Sequence, residues 1–240
     1  MLNGYLADCG PCPYLPDKRF RAFIPESNPS SAVWYRQLMD LRFRRSGNQV
    51  YMPMCEGCSA CQPIRVAVSG FQPRADQRRC WARNTDLTVT FMPRGSDDER
   101  TDLYRRYQAA VHGKDAQDES AAMLVEDGGV SGGELHARDA QGTLLAVSVV
   151  DLFDDALSSV YCYYDPTARR RGLGTYMALA EIYHARAQGL TWLYLGFFVA
   201  GCAKMEYKKR FGPAELLVDG EWVLEKRNPR AVVGLGLDTT

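Results

Sequence analysis

Ser158-Ser-Val-Tyr-Cys-Tyr-Tyr-Asp-Pro-Thr-Ala-Arg-Arg-Arg-Gly-Leu-Gly174 is the stretch whose reading decides the fold. Its first seven residues read as a strand and Asp165-Pro166 as a turn. A helix follows from Leu173 to about Gln188: Leu173, Met177, Ala180 and Tyr183 recur three or four residues apart, and Leu179 and Ile182 widen that face. Gly189 suits its C-cap. A second strand, Thr191-Trp-Leu-Tyr-Leu195, leads through Gly196 into the basic segment Lys204-Met-Glu-Tyr-Lys-Lys-Arg-Phe211. Strand, glycine-bearing basic turn, helix, strand is the order in which a βα unit offers free helix N-terminal amides to an anion. Gly172 and Gly174 alone say little. With Arg169, Arg170 and Arg171 before them and an amphipathic helix after them, they mark a turn suited to a phosphate or a developing oxyanion.

The 240 residues hold one large domain or two small ones, and 46% hydrophobic with 24% charged residues is the composition of a globular chain. The formal net charge is zero. Total charge therefore gives no argument for a nucleic-acid partner, while a local basic face stays open. No run of about 18 apolar residues occurs, so neither a membrane span nor a membrane partner is expected. The N-terminus lacks a basic leader followed by an apolar stretch, and a cytoplasmic location is the expectation.

Residues 1–30 are rich in proline and glycine, which predicts little regular structure. A helix is expected over 31–41, capped by Ser30 or Ser31, and a strand over 63–68. Arg74, Arg78, Arg79 and Arg83 lie at near-helical spacing, as a solvated face or a phosphate-binding patch. Asp86–Met92 alternates like a half-buried strand. Ser96-Asp-Asp-Glu99 resembles a capping box before a helix striped by Leu103, Tyr104, Tyr107 and Val111. A loop is expected over 113–120, a short helix over 121–125, and turns at Gly128-Gly129 and Gly132-Gly133. Leu144–Leu152 reads as a buried strand, Phe153–Ala156 as a hairpin turn and Asp219-Gly220 as the turn of a small hairpin. The expected architecture is mixed α/β (α+β): a small cysteine-bearing N-terminal domain over 1–85, a larger domain over 86–227, and a flexible tail over 228–240.

Eight cysteines are many for a chain without an export signal, and five fall in Cys-x2-Cys spacings. Cys9 and Cys12 form one pair; Cys55, Cys58 and Cys61 form another with a spare. Two such turns converging on one tetrahedral ion would make a structural zinc site, and the same thiolates suit an iron–sulfur cluster. The bland alternative is unligated thiols. Cys9, Cys12, Cys58 and Cys61 are the candidate ligands, with Cys55 in place of Cys61 left open. Cys80 and Cys162 read as small core residues.

The basic turn resembles the acyl-coenzyme-A binding turn of the GNAT acetyltransferases, and the element order agrees. Several segments together resemble the aminoacyl-tRNA–protein transferases, and within them the bacterial aspartate/glutamate leucyltransferases. They are Cys12-Pro-Tyr-Leu-Pro16, Phe43-Arg-Arg-Ser-Gly47, Tyr51-x-Pro53, Cys55-x2-Cys58-x2-Cys61 with Ile64-Arg65, Phe71-x-Pro73 and Asn84-x-Asp-Leu87. Tyr164-Asp-Pro166, Leu173-Gly174, Tyr194-Leu-Gly196 and Cys202-x2-Met-x-Tyr-Lys208 with Phe211-x-Pro213 continue the series in order over about residues 9–224. One position departs: Val111 stands where the family usually has arginine before the histidine, here His112.

The resemblance implies a GNAT-like C-terminal part in which aminoacyl-tRNA replaces acyl-coenzyme A. It implies transfer of leucine from leucyl-tRNA to proteins beginning with Asp or Glu, which marks them for degradation. No cofactor is required for the transfer. Within this expectation Asp165 orients the attacking amine or takes its proton, and Tyr164, Tyr194 or Tyr207 steadies the oxyanion. Arg44, Arg45 and Lys208 receive the acidic side chain. Arg169, Arg170, Arg171, Gly172 and Gly174, with Arg78 and Arg79, meet the tRNA. Rival readings are an arginyl-tRNA–protein transferase, an acetyl-coenzyme-A-dependent GNAT enzyme, and a non-catalytic metal- or redox-sensing RNA-binding module.

Overall fold

The computed structural model describes residues 2–28, 31–113, 122–125 and 129–225. The segment expected to lack regular structure instead forms two antiparallel strands, β1 (Gly4–Pro11) and β2 (Arg19–Pro25). Pro11 and Gly10 fall at a register break in β1, where a missing N–H and a left-handed backbone do no harm. Helix α1 (Ala32–Asp40) begins at Ser31, whose hydroxyl accepts the Trp34 amide. β3 (Arg44–Ser46) and β4 (Gln49–Pro53) complete a four-stranded sheet in the order β1-β2-β4-β3.

β5 (Cys61–Ala67) leaves that sheet for a larger one. The chain passes from the small sheet to the large one just before Cys61. Next come α2 (Ala75–Ala82), β6 (Thr88–Met92), α3 (Asp98–Tyr107) and α4 (Ala122–Val125). α3 is capped by Asp97, which accepts the Arg100 amide. β7 (Gly132–Arg138) begins where a turn was expected. Gly132 and Gly133 sit inside a strand because a Cβ at either would collide with the Val150 carbonyl, or with the Met92 carbonyl and Phe91 ring.

β8 (Leu144–Leu152), β9 (Ala156–Tyr164), α5 (Leu173–Ala187), β10 (Trp192–Val199), β11 (Ala214–Val218) and β12 (Glu221–Leu224) finish the described chain. The eight-stranded sheet runs β12-β11-β5-β10-β9-β8-β7-β6. β9 and β10 are parallel; the other pairs are antiparallel. β8 is apolar on both sides because both sheet faces are covered. Val147 and Val149 meet α3, while Val150 lies in the core built around α5. The tail from 228 and most of the expected loop 113–120 lie outside the described residues. Among the described residues, no helix is long and apolar enough to cross a membrane.

Candidate active site at a strand fork

β9 and β10 pair only over Ala156–Ser158 and Trp192–Tyr194. Past Tyr194, β10 shifts register against β5, and Gly196 takes a left-handed φ of 76°. β9 meanwhile stays with β8 up to Tyr164. Two parallel neighbours thus part, and the fork opens toward their carboxyl ends, the place where open α/β sheets hold ligands. α5 starts at this opening. Its first amides have no intrahelical carbonyl to reach, and no side chain caps them. Gly172 has φ 68°, and the Tyr164 ring lies over Gly174, so close that an added Cβ would stand 3.3 Å from it.

Basic side chains rim this helix end. Arg169 and Arg170 are exposed. Arg171 is held by Asp86 through two contacts of 2.9 and 2.8 Å. α2 packs against α5 and brings the Arg83 guanidinium to 3.7 Å from the Cβ position at Gly172. Arg78 and Arg79 are exposed on the same short helix. The two basic stretches, 90 residues apart in sequence, therefore approach each other at one turn.

Within the fork stand three buried ionisable groups. Arg44 is 5% exposed and lies against the Tyr194 and Phe197 rings, 5.5 and 5.4 Å from their centroids. Its Nη1 donates to the Met39 and Phe43 carbonyls at 3.2 and 2.6 Å, while Nε and Nη2 are buried with no acceptor. Lys208, from the turn Glu206–Arg210, is 9% exposed and donates to the Phe197 carbonyl at 2.7 Å. Burial, with the nearby Arg44 charge adding to it, pulls Lys208 down to about 8. Neither cation has a carboxylate within 4.0 Å among the described residues. Glu181 is 1% exposed on the inner face of α5. Its Oε1 accepts from Ser148 and, at 2.9 Å, from Ser159, and Oε2 has no partner. Burial pushes this acid up to about 7. Tyr207 is exposed beside Lys208.

Three expected site residues are engaged elsewhere. Arg45 is bound to Asp151 by Nε at 2.8 Å and Nη2 at 2.6 Å, and its Nη1 donates to the Gly47 carbonyl; both side chains are buried. No nitrogen is left for a substrate. Tyr194 is fully buried; its hydroxyl donates to Asp40 at 2.9 Å and accepts from Arg65 at 3.3 Å, so it cannot meet an oxyanion. Asp165 is a turn cap. Burial alone would raise its pKa, but the Thr167 hydroxyl and amide and the Arg106 guanidinium outweigh this and hold it below the ordinary range, which makes it a poor base. Tyr164 and Tyr207 stay beside the opening. Glu181 was missed by the sequence reading, although a lone acid among Met177, Ala178 and Ile182 on a core-facing helix was a usable signal.

The cysteines do not assemble as expected. Among the described residues no three His, Cys, Asp or Glu side chains converge as a metal-holding group. Cys9 is exposed, Cys12 Sγ accepts the Leu15 amide and Cys55 Sγ accepts the Arg21 amide, each at 3.4 Å. Cys55 and Cys58 face each other across a bridge. Burial, then the neighbouring Cys55, Cys12 and Cys58, push the Cys61 thiol up to about 12. The thiols share a neighbourhood, but they are not placed as ligands of one ion.

Family models for the N terminus and the C terminus of arginine-tRNA-protein transferase match residues 10–79 and 99–218. An aspartate/glutamate leucyltransferase of Nitrosococcus oceani is 39% identical over 92% of this chain and 95% of that protein. Proteins of the same name from Pseudomonas fluorescens and Gluconacetobacter diazotrophicus are 37% and 38% identical, over 93% and 88% of this chain and 97% and 84% of theirs. Among solved structures, L-PGS from Bacillus licheniformis superposes with a TM-score of 0.48 at 13% identity, covering 70% of this chain and 52% of that one. The two-part family match and the full-length relatives agree with the ordered motifs: the chain belongs to the aminoacyl-tRNA–protein transferase family, alongside the aspartate/glutamate leucyltransferases.

Proposed function

We infer that the chain transfers leucine from leucyl-tRNA to proteins whose first residue is Asp or Glu, and so marks them for degradation. The observation that carries the acceptor half is Arg44. A buried guanidinium with two unmet donors and no counter-ion is costly, and a carboxylate entering the fork would satisfy both nitrogens at once. Lys208 lines the same opening at the end where the acceptor's α-amine would stand. The activated ester is already reactive, so holding amine and ester in register supplies much of the rate. Tyr164 and Tyr207, or the first amides of α5, are the donors for the tetrahedral oxyanion.

The donor half rests on the helix end. Unclaimed amides and the exposed Arg169, Arg170, Arg78 and Arg79 suit phosphates near the 3′ end of a tRNA. A GNAT-like sheet, in which the parted strands of an acyl-coenzyme-A fold take an aminoacyl-tRNA instead, accommodates both halves. Such a reaction runs where aminoacyl-tRNA is made, in the cytoplasm. The test is incubation with labelled leucyl-tRNA, arginyl-tRNA or acetyl-coenzyme A, and peptides beginning Asp, Glu, Asn or Ala. Leucine on the Asp and Glu peptides alone is expected; arginine or acetyl transfer would replace the reading.

A further inference from the structure

β6 is an edge strand of the large sheet, and its Phe91 is 41% exposed. A large ring left open on a sheet edge is a liability unless something covers it. The ring is nevertheless fixed. It stacks on His184 of α5, with centroids 4.9 Å apart and planes 14° from parallel. Gly133 of β7 leaves room for it, since a Cβ there would strike the ring. Phe91 lines an open cavity of about 200 Å³, with Trp81 of α2 and with Ala180, Tyr183 and His184 of α5. Trp81 stands edge-on to Tyr183 at 4.7 Å. His184 has no hydrogen-bond partner among the described residues, and burial lowers its pKa. At neutral pH it is an uncharged ring with both nitrogens free.

The charge beside the cavity selects its occupant. Trp81 shares α2 with Arg78, Arg79 and with Arg83 at its C-cap, all exposed. The acids nearby are already taken: Asp76 by Arg74 and Arg210, Asp86 by Arg171. An acidic peptide would use these cations and leave the flat rings idle; an apolar segment would do the reverse. Single-stranded nucleic acid uses both, with phosphates on guanidinium groups and bases on aromatic faces. The cavity, at about 200 Å³, is smaller than the roughly 300 Å³ at which sites for whole small molecules begin. It suits one planar base whose sugar and phosphate stay outside.

We propose that this cavity is a nucleobase slot: Phe91, Trp81, Tyr183 and His184 receive one unstacked base of a single-stranded RNA whose phosphates lie along Arg78, Arg79 and Arg83. The identity of that RNA, the 3′ end of the donor tRNA, rests on the transferase reading above. The slot and the helix start are spaced for it. His184 lies eleven residues along α5 from Leu173, about 16 Å at 1.5 Å per residue. A stacked strand advances about 3.4 Å per nucleotide, so the gap spans roughly five nucleotides. The esterified end then reaches the fork while a base near the end of the acceptor stem reaches the slot. No bond is made or broken there. The slot holds the strand in line, and the imidazole nitrogens are placed to bond the edge of the base.

The test compares two probes on the full chain by fluorescence anisotropy: a short single-stranded RNA, and an abasic ribose-phosphate oligomer of the same length. Phe91→Ala should weaken RNA binding about tenfold and leave the abasic oligomer within about twofold, and Phe91→Trp should restore the RNA. Arg79→Ala with Arg83→Ala should weaken both probes and lower the slope of log affinity against log salt by about one to two. In Phe91→Ala, KM for leucyl-tRNA should rise about tenfold while KM for an Asp-starting peptide stays put. Unchanged RNA affinity in Phe91→Ala would overturn the proposal. So would an equal loss for both probes, since that reports charge or fold and not a base. Should Phe91→Ala not fold, Phe91→Leu, which keeps an apolar side chain without a ring, decides in the same way. Ring-dependent RNA affinity in a chain that transfers no leucine would leave the slot standing and sink the transferase reading. Leucine transfer with ring-independent affinity would sink the slot alone.

Discussion

Arg44 and Arg45 are neighbours on one short strand, yet their guanidinium groups end in opposite surroundings. Arg45 meets Asp151 of β8 head-on, Arg94 joins the same carboxylate, and the three tie the small sheet to the large one. Arg44 points to the other side of the strand, against aromatic rings, with two nitrogens unanswered and a second buried cation nearby. A satisfied buried pair is what structure needs; an unsatisfied one is what a substrate completes. The difference separates residues that hold the fork in place from residues that work in it.

The comparison can be broken first at Asp151. Asp151→Ala leaves two arginines without their counter-ion and should cost about 3–5 kcal/mol of stability by chemical denaturation, with activity falling only as the fold does. Arg44→Met should do the reverse. Transfer to Asp- and Glu-starting peptides should fall about 100-fold or more in kcat/KM, while stability changes by less than about 1 kcal/mol. Comparable destabilisation by both substitutions would erase the distinction. Next in size is the donor rim: Arg169→Ala with Arg170→Ala should raise KM for leucyl-tRNA several-fold and flatten its salt dependence, with KM for the peptide unchanged.

The smallest expected effect is one of stability against pH. Glu181 is raised from 4.5 to about 7 by burial in the folded chain, so the folded state holds an extra proton between those values. Its contribution must then fall as pH rises through that window and stay low above it. Lys208, lowered from 10.5 to about 8, acts oppositely: stability rises with pH between about 8 and 10.5. Glu181→Gln should therefore gain in Tm over the unaltered chain from pH 5 to pH 7.5 by calorimetry. A constant difference would mean that Glu181 is already ionised in the fold.

What was legible in the sequence is what local patterning controls. Leu144–Leu152, the helix from Leu173 and the hairpin at Asp219-Gly220 stand where their spacing put them. β1 and β2 were missed because their pairing is non-local and prolines and glycines interrupt their alternation. Gly132-Gly133 misled for a related reason: a glycine demanded by a neighbouring backbone looks like a turn until that neighbour is known. β5 joins the large sheet through partners beyond residue 190. The site was half legible. Strand alternation sends Arg44 and Arg45 to opposite faces, but which face meets Asp151, 106 residues further on, is a property of the fold.

The most direct test of the account pairs one donor with two acceptors of equal shape. Leucyl-tRNA carrying labelled leucine is offered with a peptide beginning Asp or its Asn counterpart, to the unaltered chain and to Arg44→Met. Leucine is expected on the Asp peptide and at least about 100-fold less on the Asn peptide, with that preference lost in the variant. Equal labelling of the two peptides by the unaltered chain, or an undiminished preference in Arg44→Met, would contradict it.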